Sequence, residues 1–238
     1  MLRVGYAIAL VMLVAGCAPA MRTTAPAPTL ATRSAPDGFP GRRYEEAAAR
    51  GKSIYRVDPE RSLVSILVRR GGSLAHLGHD HVVASRGVQG YVARDEGTAD
   101  LFVPLADLSV DEPALRAESR LDTQPTESDI AGTRSNMLDK VLETQRFPFA
   151  LIHISSREKT PTGSRLGVAI TLHGVSRSFD VPVHMETSPD EMSVAGTLEL
   201  KQSDFGIVPF SILGGAMQVQ DRLSLRFTIR ARPVDARP

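Results

Sequence analysis

Three of the six histidines in this 238-residue chain, His76, His79 and His81, fall within the stretch Ala75-His76-Leu77-Gly78-His79-Asp80-His81. Imidazoles at this spacing can bind a metal, recognise a polar head group through hydrogen bonds, or simply satisfy one another and the backbone. The stretch runs into Val82-Val83, so it reads as the start of a β-strand. Strand residues two apart share a face and lie about 6.6 Å apart, which puts His79 and His81 on one side and Asp80 on the other. His76 has the wrong parity to join them unless Gly78 permits a bulge. A catalytic zinc takes three protein ligands and a water. The metal reading therefore needs a third residue from another strand, with His153 and His173 the chemical candidates. His184 has no such company and is read as a surface residue.

Something must deliver these residues to one place. Val64, Ile66 and Val68 alternate with polar neighbours after the Asp58-Pro59-Glu60-Arg61 turn, the period-two pattern of a strand with one buried face. Similar runs cover 88–93, 99–103, 149–155, 166–173, 178–185, 192–200 and 223–231, with turn residues between them. Between Asp111 and Thr144 the period changes: Ile130, Met137, Leu138, Val141 and Leu142 recur at helical spacing. Asp107, Asp111, Glu118 and Asp122 read as solvated carboxylates around that helical insertion. The pattern predicts an all-β protein, an antiparallel barrel of about eight strands with one helical insertion, closed or nearly closed so that no edge is left exposed.

Composition narrows the function. The 28 basic and 27 acidic residues nearly cancel and form no basic tract, which argues against a nucleic-acid partner. The single cysteine rules out an intrachain disulfide, a CxxC redox pair and a multi-cysteine zinc site. No G-x-S-x-G elbow, H-E-x-x-H helix or P-loop is present, so no enzyme is expected. The N-terminus is informative in a different way. Arg3 precedes an apolar run from about Val4 to Ala15, too short to span a bilayer and suited to an export signal. It ends Leu13-Val14-Ala15-Gly16-Cys17, which resembles the lipobox of bacterial lipoproteins, where the signal is cut before a cysteine that becomes acylated. The expected organisation is a signal peptide over 1–16, an acylated Cys17 and flexible tether over 17–52 with a short helix near 42–50, and a barrel over 53–238. An exported protein held on the periplasmic face of the envelope follows. If the cell has two membranes, the lack of aspartate at Ala18 favours the outer one.

The ordered motifs resemble those of the YceI-like family. Tyr55-x-x-Asp58-x-x-x-Ser62-x-Val64 is similar to its opening strand pair, and Leu138 to Pro148 to its helix end. Leu172-His173-Gly174-Val175 with Val181-Pro182-Val183 resembles its hairpin, and Ser203-Asp204-Phe205-Gly206-Ile207 its D-F-G-I segment. Gly78-His79-Asp80-His81 departs from the aromatic or apolar residue that many members carry after the glycine, and marks the chain as a G-H-D-H-containing variant. The resemblance implies a lipocalin-like up-and-down barrel that binds long isoprenoid lipids, with no cofactor beyond a bound isoprenoid or quinone. Val64, Ile66, Val68, Val83, Val103, Ile152, Ile154, Ile170, Leu172, Leu198 and Leu225 are then candidates for an apolar lumen. Phe102, Phe147, Phe205 and Phe210 are candidates to close its ends. His76, His79 and His81 are the candidate head-group site, with His79, His81 and His153 as the metal alternative and a barrel packed solid by its own side chains as a further one.

Overall fold

The computed structural model describes residues 34–160 and 163–234; the expected signal peptide, Cys17 and the tether up to residue 33 lie outside them. β1 (Ile54–Val57) and β2 (Leu63–Val68) both pair antiparallel with β14 (Arg222–Pro233), at Tyr55↔Pro233 and Leu67↔Ser224, so they are two halves of one bent strand. The same holds for β4 (His81–Ser85) with β5 (Gln89–Ala93), which pair with β2 and β1, and for β6 (Thr98–Pro104) with β7 (Ser109–Val110), which pair with β5 and β4. Add β8 (Phe149–Thr160), β9 (Gly163–Leu172), β10 (Val175–Thr187) and β11 (Met192–Lys201), and each strand pairs with the next until β14 meets β1 and β2. The result is a closed, eight-stranded, antiparallel up-and-down barrel.

The bend between β1 and β2 opens a gap in the ladder, and Ser62 fills it. Its hydroxyl accepts the Arg230 N–H at 3.0 Å and donates to the Asp58 carbonyl at 2.8 Å, while the Asp58 N–H reaches the Arg230 carbonyl at 2.8 Å. Ser62 is 1% exposed, so these backbone groups have no water to fall back on. This explains the spacing Tyr55, Asp58, Ser62, Val64: a core tyrosine, the turn, the hydroxyl that repairs the ladder, and the first inward valine.

The connections at the two ends differ. One end carries short connections over 93–98 and 187–192 and the paired ends of β8 and β9 at Thr160↔Gly163. The other carries the long ones: 69–80, the insertion over 111–148 and the segment 202–221, beside the tight turn at His173-Gly174. The insertion contains α2 (Pro113–Glu118) and α3 (Glu127–Asn136), the latter started by a Thr126–Asp129 capping box and continued by a π-turn over Met137–Val141. Ile130, Met137 and Leu142 pack on Val83, Leu105, Leu108 and Val110, seating the insertion on the barrel. Three short strands, β3 (Arg70–Gly71), β12 (Ser211–Ile212) and β13 (Met217–Val219), form a small sheet that ties 69–80 to 202–221 at this end.

The packed body starts earlier than residue 53. Helix α1 (Gly41–Ala49) buries Tyr44 and Ala48 against Ile54, Tyr91 and Ala93, and the Tyr44 and Tyr91 rings stack at 5.4 Å. The expected short helix is thus part of the barrel body rather than of a free tether.

Candidate functional site

An apolar cavity of about 460 Å³ runs along the lumen, from Arg94 and Thr98 at the short-turn end to Phe210, Ile212 and Met217 at the long-loop end. The strand period builds its wall: Val64, Ile66 and Val68 of β2, Ile152 and Ile154 of β8, Ile170 and Leu172 of β9, and Leu223, Leu225, Phe227 and Ile229 of β14 all face it. Thr133, Asn136 and Met137 of the insertion roof it. Gly196 makes room for one wall residue. A Cβ there would sit 2.8 Å from the Phe227 ring and 2.9 Å from the Pro182 carbonyl oxygen, closer than carbon atoms tolerate.

Three of the four phenylalanines expected to bound the lumen do not line it. Leu101 and Val103 face the cavity, so Phe102 faces out, where Phe39 and Phe149 cover it at ring distances of 4.9 and 5.8 Å. Phe147 packs on the His173 ring at 4.3 Å. Phe205 is fully buried but does not line the cavity; it packs with Leu200, Ile207, Leu172 and Phe179 at the long-loop end, held there by a turn that closes on Gly206 at φ 71°. Phe210 is at the cavity mouth.

The histidines separate in the same way. His79 and His81 both face the cavity, with ring centroids 6.2 Å apart. His76 lies in a 3₁₀ turn over Ala75–Leu77, exposed and away from the lumen. His153 sits between the inward Ile152 and Ile154, so it points out of the barrel, where its Nδ1 lies 2.7 Å from Oδ1 of Asp100. It cannot share a ligand with His79 and His81, which removes the third member of the metal set. His173 occupies the first central position of a two-residue hairpin loop, at φ 52°, with Gly174 at φ 76°, the conformation that the twist of β9 and β10 favours. Among the described residues no group of three His, Cys, Asp or Glu side chains is placed to hold a metal ion.

The two lumen histidines are held differently. His81 Nδ1 lies 2.6 Å from Oδ2 of Asp111, whose Oδ1 accepts from the Val82 N–H at 3.0 Å and from Arg116 at 2.6 Å. Asp111 is buried at φ 58°, not solvated as its position after a strand suggests; the β4–β7 ladder, through Val83↔Val110, brings it beside His81. Burial pushes its carboxyl up, but His81, the Val82 amide and Arg116 outweigh that and hold it below the usual carboxylate range. A carboxylate can only accept, so the proton on His81 resides on Nδ1 and Nε2 is left for the lumen. The Nδ1 of His79, by contrast, is buried with no hydrogen-bond partner among the described residues. Between the two, Asp80 turns away and binds Arg69 at 2.6 Å and the Arg70 N–H at 2.9 Å, while Arg70 Nη1 donates to the Gly78 carbonyl at 2.8 Å. Arg116 also donates to the Asp80 carbonyl at 2.9 Å. Each residue of Gly78-His79-Asp80-His81 thus has a distinct place: one anchored imidazole, one unsatisfied imidazole, and a salt-bridged aspartate that fixes the backbone between them.

Fold and site define a closed antiparallel barrel with an apolar lumen and a polar pair at one end. Residues 55–231 match the YceI-like domain, and the chain belongs to that family. Solved structures that share the fold include two that cover most of this chain. One is a polyisoprenoid-binding domain from Saccharophagus degradans implicated in plant cell wall breakdown, 12% identical, covering 77% of this chain and 99% of that one with a TM-score of 0.55. The other is BcnA of Burkholderia cenocepacia, 15% identical, covering 73% and 98% with a TM-score of 0.51. No curated protein matches the sequence.

Proposed function

We propose that this protein is an envelope lipoprotein that carries an apolar lipid with an isoprenoid chain in the barrel lumen, its polar head toward His79 and His81. The observation that carries the reading is the apolar cavity at whose end the buried Nδ1 of His79 has no hydrogen-bond partner among the described residues. Native cores leave few voids larger than a water. An orphaned polar atom in such a place costs about 1–3 kcal/mol that a ligand oxygen would recover. The resemblance in fold to a polyisoprenoid-binding domain supports the same chemistry.

The energetics suit a carrier. Burying a methylene from water is worth about 0.8 kcal/mol, so a prenyl chain does not cross an aqueous space unaided. Exchange between a bilayer and an apolar lumen is nearly balanced, because both are dry, and a balanced exchange can load and unload. Acylation of Cys17 would keep the carrier at a membrane surface, and the segment up to residue 33 would give it reach. Protein purified from native membranes, extracted with solvent and analysed by mass spectrometry, tests the proposal: an isoprenoid lipid near one per chain is expected.

A further inference from the structure

Five large hydrophobic side chains are exposed among the described residues, and four of them, Leu77, Val208, Ile212 and Leu213, sit on the two connections at the histidine end of the barrel. Leu77 is 60% exposed and Leu213 67%. These connections are braced rather than loose. Gln218 pairs with Gly71, Val219 with Arg70 and Ile212 with Met217, and the Leu74 N–H donates to the Ala216 carbonyl at 2.8 Å. The patch is continuous with the lumen, since Ile212 lines the cavity while 45% exposed, beside Phe210 and Met217.

These two connections are uncharged over long runs, with the cations Arg70, which lines the cavity, and Lys140, whose Nζ lies 5.9 Å from the centre of the Phe210 ring, beside them. From Phe205 to Gln220 and from Gly71 to His79 there is no Asp, Glu, Lys or Arg, whereas the opposite end presents Arg94, Asp95 and Glu96 in one turn and Asp190 and Glu191 in another. We propose that the uncharged rim formed by Leu77, Ile212 and Leu213 docks into the surface of a lipid bilayer, so that cargo passes between membrane and lumen through this end without entering water. The inference rests on the lipid-carrier reading and adds where exchange takes place. Four aliphatic side chains fall short of the roughly 1,000 Å² that a stable contact between two copies needs. A rim of apolar side chains with the cations Arg70 and Lys140 close behind it matches the shallow insertion of interfacial proteins, whose apolar groups enter the acyl boundary while cations meet the head groups. Reach is sufficient: a chain as long as the 17 residues from Cys17 to Arg33 can span up to about 55 Å, more than the roughly 40 Å of a twelve-residue strand such as β14.

The chain contains no tryptophan, which supplies the probe. Leu213→Trp and, at the opposite end, Asp95→Trp are each placed in the full chain on vesicles of phosphatidylethanolamine and phosphatidylglycerol containing dibrominated phosphatidylcholine. Emission from Leu213→Trp is expected to shift to the blue and to be quenched at least threefold more than that from Asp95→Trp. Equal quenching at both ends, or none at Leu213→Trp, overturns the proposal. A double variant, Leu77→Asp with Leu213→Asp, is expected to slow polyprenol exchange between donor and acceptor vesicles at least tenfold while binding polyprenol in detergent as the parent does. Exchange at the parent rate, or a parent that sediments as a dimer dissociated by the double variant, overturns it. A parent that carries no polyprenol contradicts the carrier reading instead, and the tryptophan result still reports on docking.

Discussion

The Nδ1 of His81 lies 2.6 Å from the Oδ2 of Asp111, thirty residues further along the chain, and that single contact gives the lumen pair its asymmetry. With Asp111 fixed by Arg116 and the Val82 amide, the His81 ring, which lines the cavity, is held in one orientation with its proton on Nδ1 and its Nε2 left as an acceptor. His79 has no such support. An imidazole that accepts or donates freely beside one held in a fixed tautomer can adapt to a hydroxyl, a carbonyl or a phosphate oxygen.

The first prediction concerns pH. The folded chain holds Asp111 below its ordinary carboxylate value of about 3.9, so its contribution to stability is complete above about pH 5 and is lost as pH falls through the depressed folded value. Asp111→Asn should be destabilised at pH 7 by about 3 kcal/mol, because Arg116 and His81 lose a buried partner. Urea midpoints of the two proteins should converge on acidification towards pH 3. A gap that stays constant with pH would show that the ion pair contributes nothing.

His79→Leu separates binding from folding. Replacing an unsatisfied buried nitrogen by an apolar side chain should leave the melting temperature unchanged or raise it. Affinity for a prenyl lipid with an oxygen head should fall about tenfold, the equivalent of one net hydrogen bond. Isothermal titration in detergent with wild type and variant reads both the loss and its specificity, since a head-less isoprenoid hydrocarbon should bind the two proteins alike.

Ser62→Ala removes the hydroxyl that bridges the bend in the first strand and leaves the Arg230 N–H buried without a partner. A cost of about 1–3 kcal/mol is expected from chemical denaturation. Hydrogen exchange should quicken first at the Arg230 amide.

Gly196→Val tests the wall of the lumen. The added carbons collide with the Phe227 ring and the Pro182 carbonyl, so Phe227 must turn further into the cavity or the sheet must part. Destabilisation of about 1–3 kcal/mol and a reduced lipid load are expected together. A variant that loses stability yet binds a full load would place the ligand away from Phe227.

The barrel was legible in the sequence because its signal is local. Alternation along Val64, Ile66, Val68 and along Leu223, Leu225, Phe227, Ile229 is set by the two-residue period of a strand, and all seven side chains line the cavity. Three bent strands were less visible, since Ser62 and the turns around 86–88 and 105–108 interrupt the period without ending the strand. Phe102 shows the limit of reading residue type: large aromatic character suggested a plug, but parity beside Val103 decides its face and Phe39 covers it. Asp111 is the harder case. Its place beside His81 depends on the pairing of two residues of β7 with β4, and no local pattern in Val110-Asp111-Glu112-Pro113 distinguishes a buried histidine partner from a solvated helix start.

The most direct measurement is the content of the barrel as the cell fills it. Full-length protein purified from native membranes in mild detergent, beside an Ile154→Trp variant in which the indole occupies the lumen, is extracted and weighed by mass spectrometry against protein amount. The account predicts an isoprenoid-chain lipid near one per chain in the parent and little or none in the variant. A parent that yields no lipid, or the same bulk phospholipids in the same amount as the variant, would contradict it.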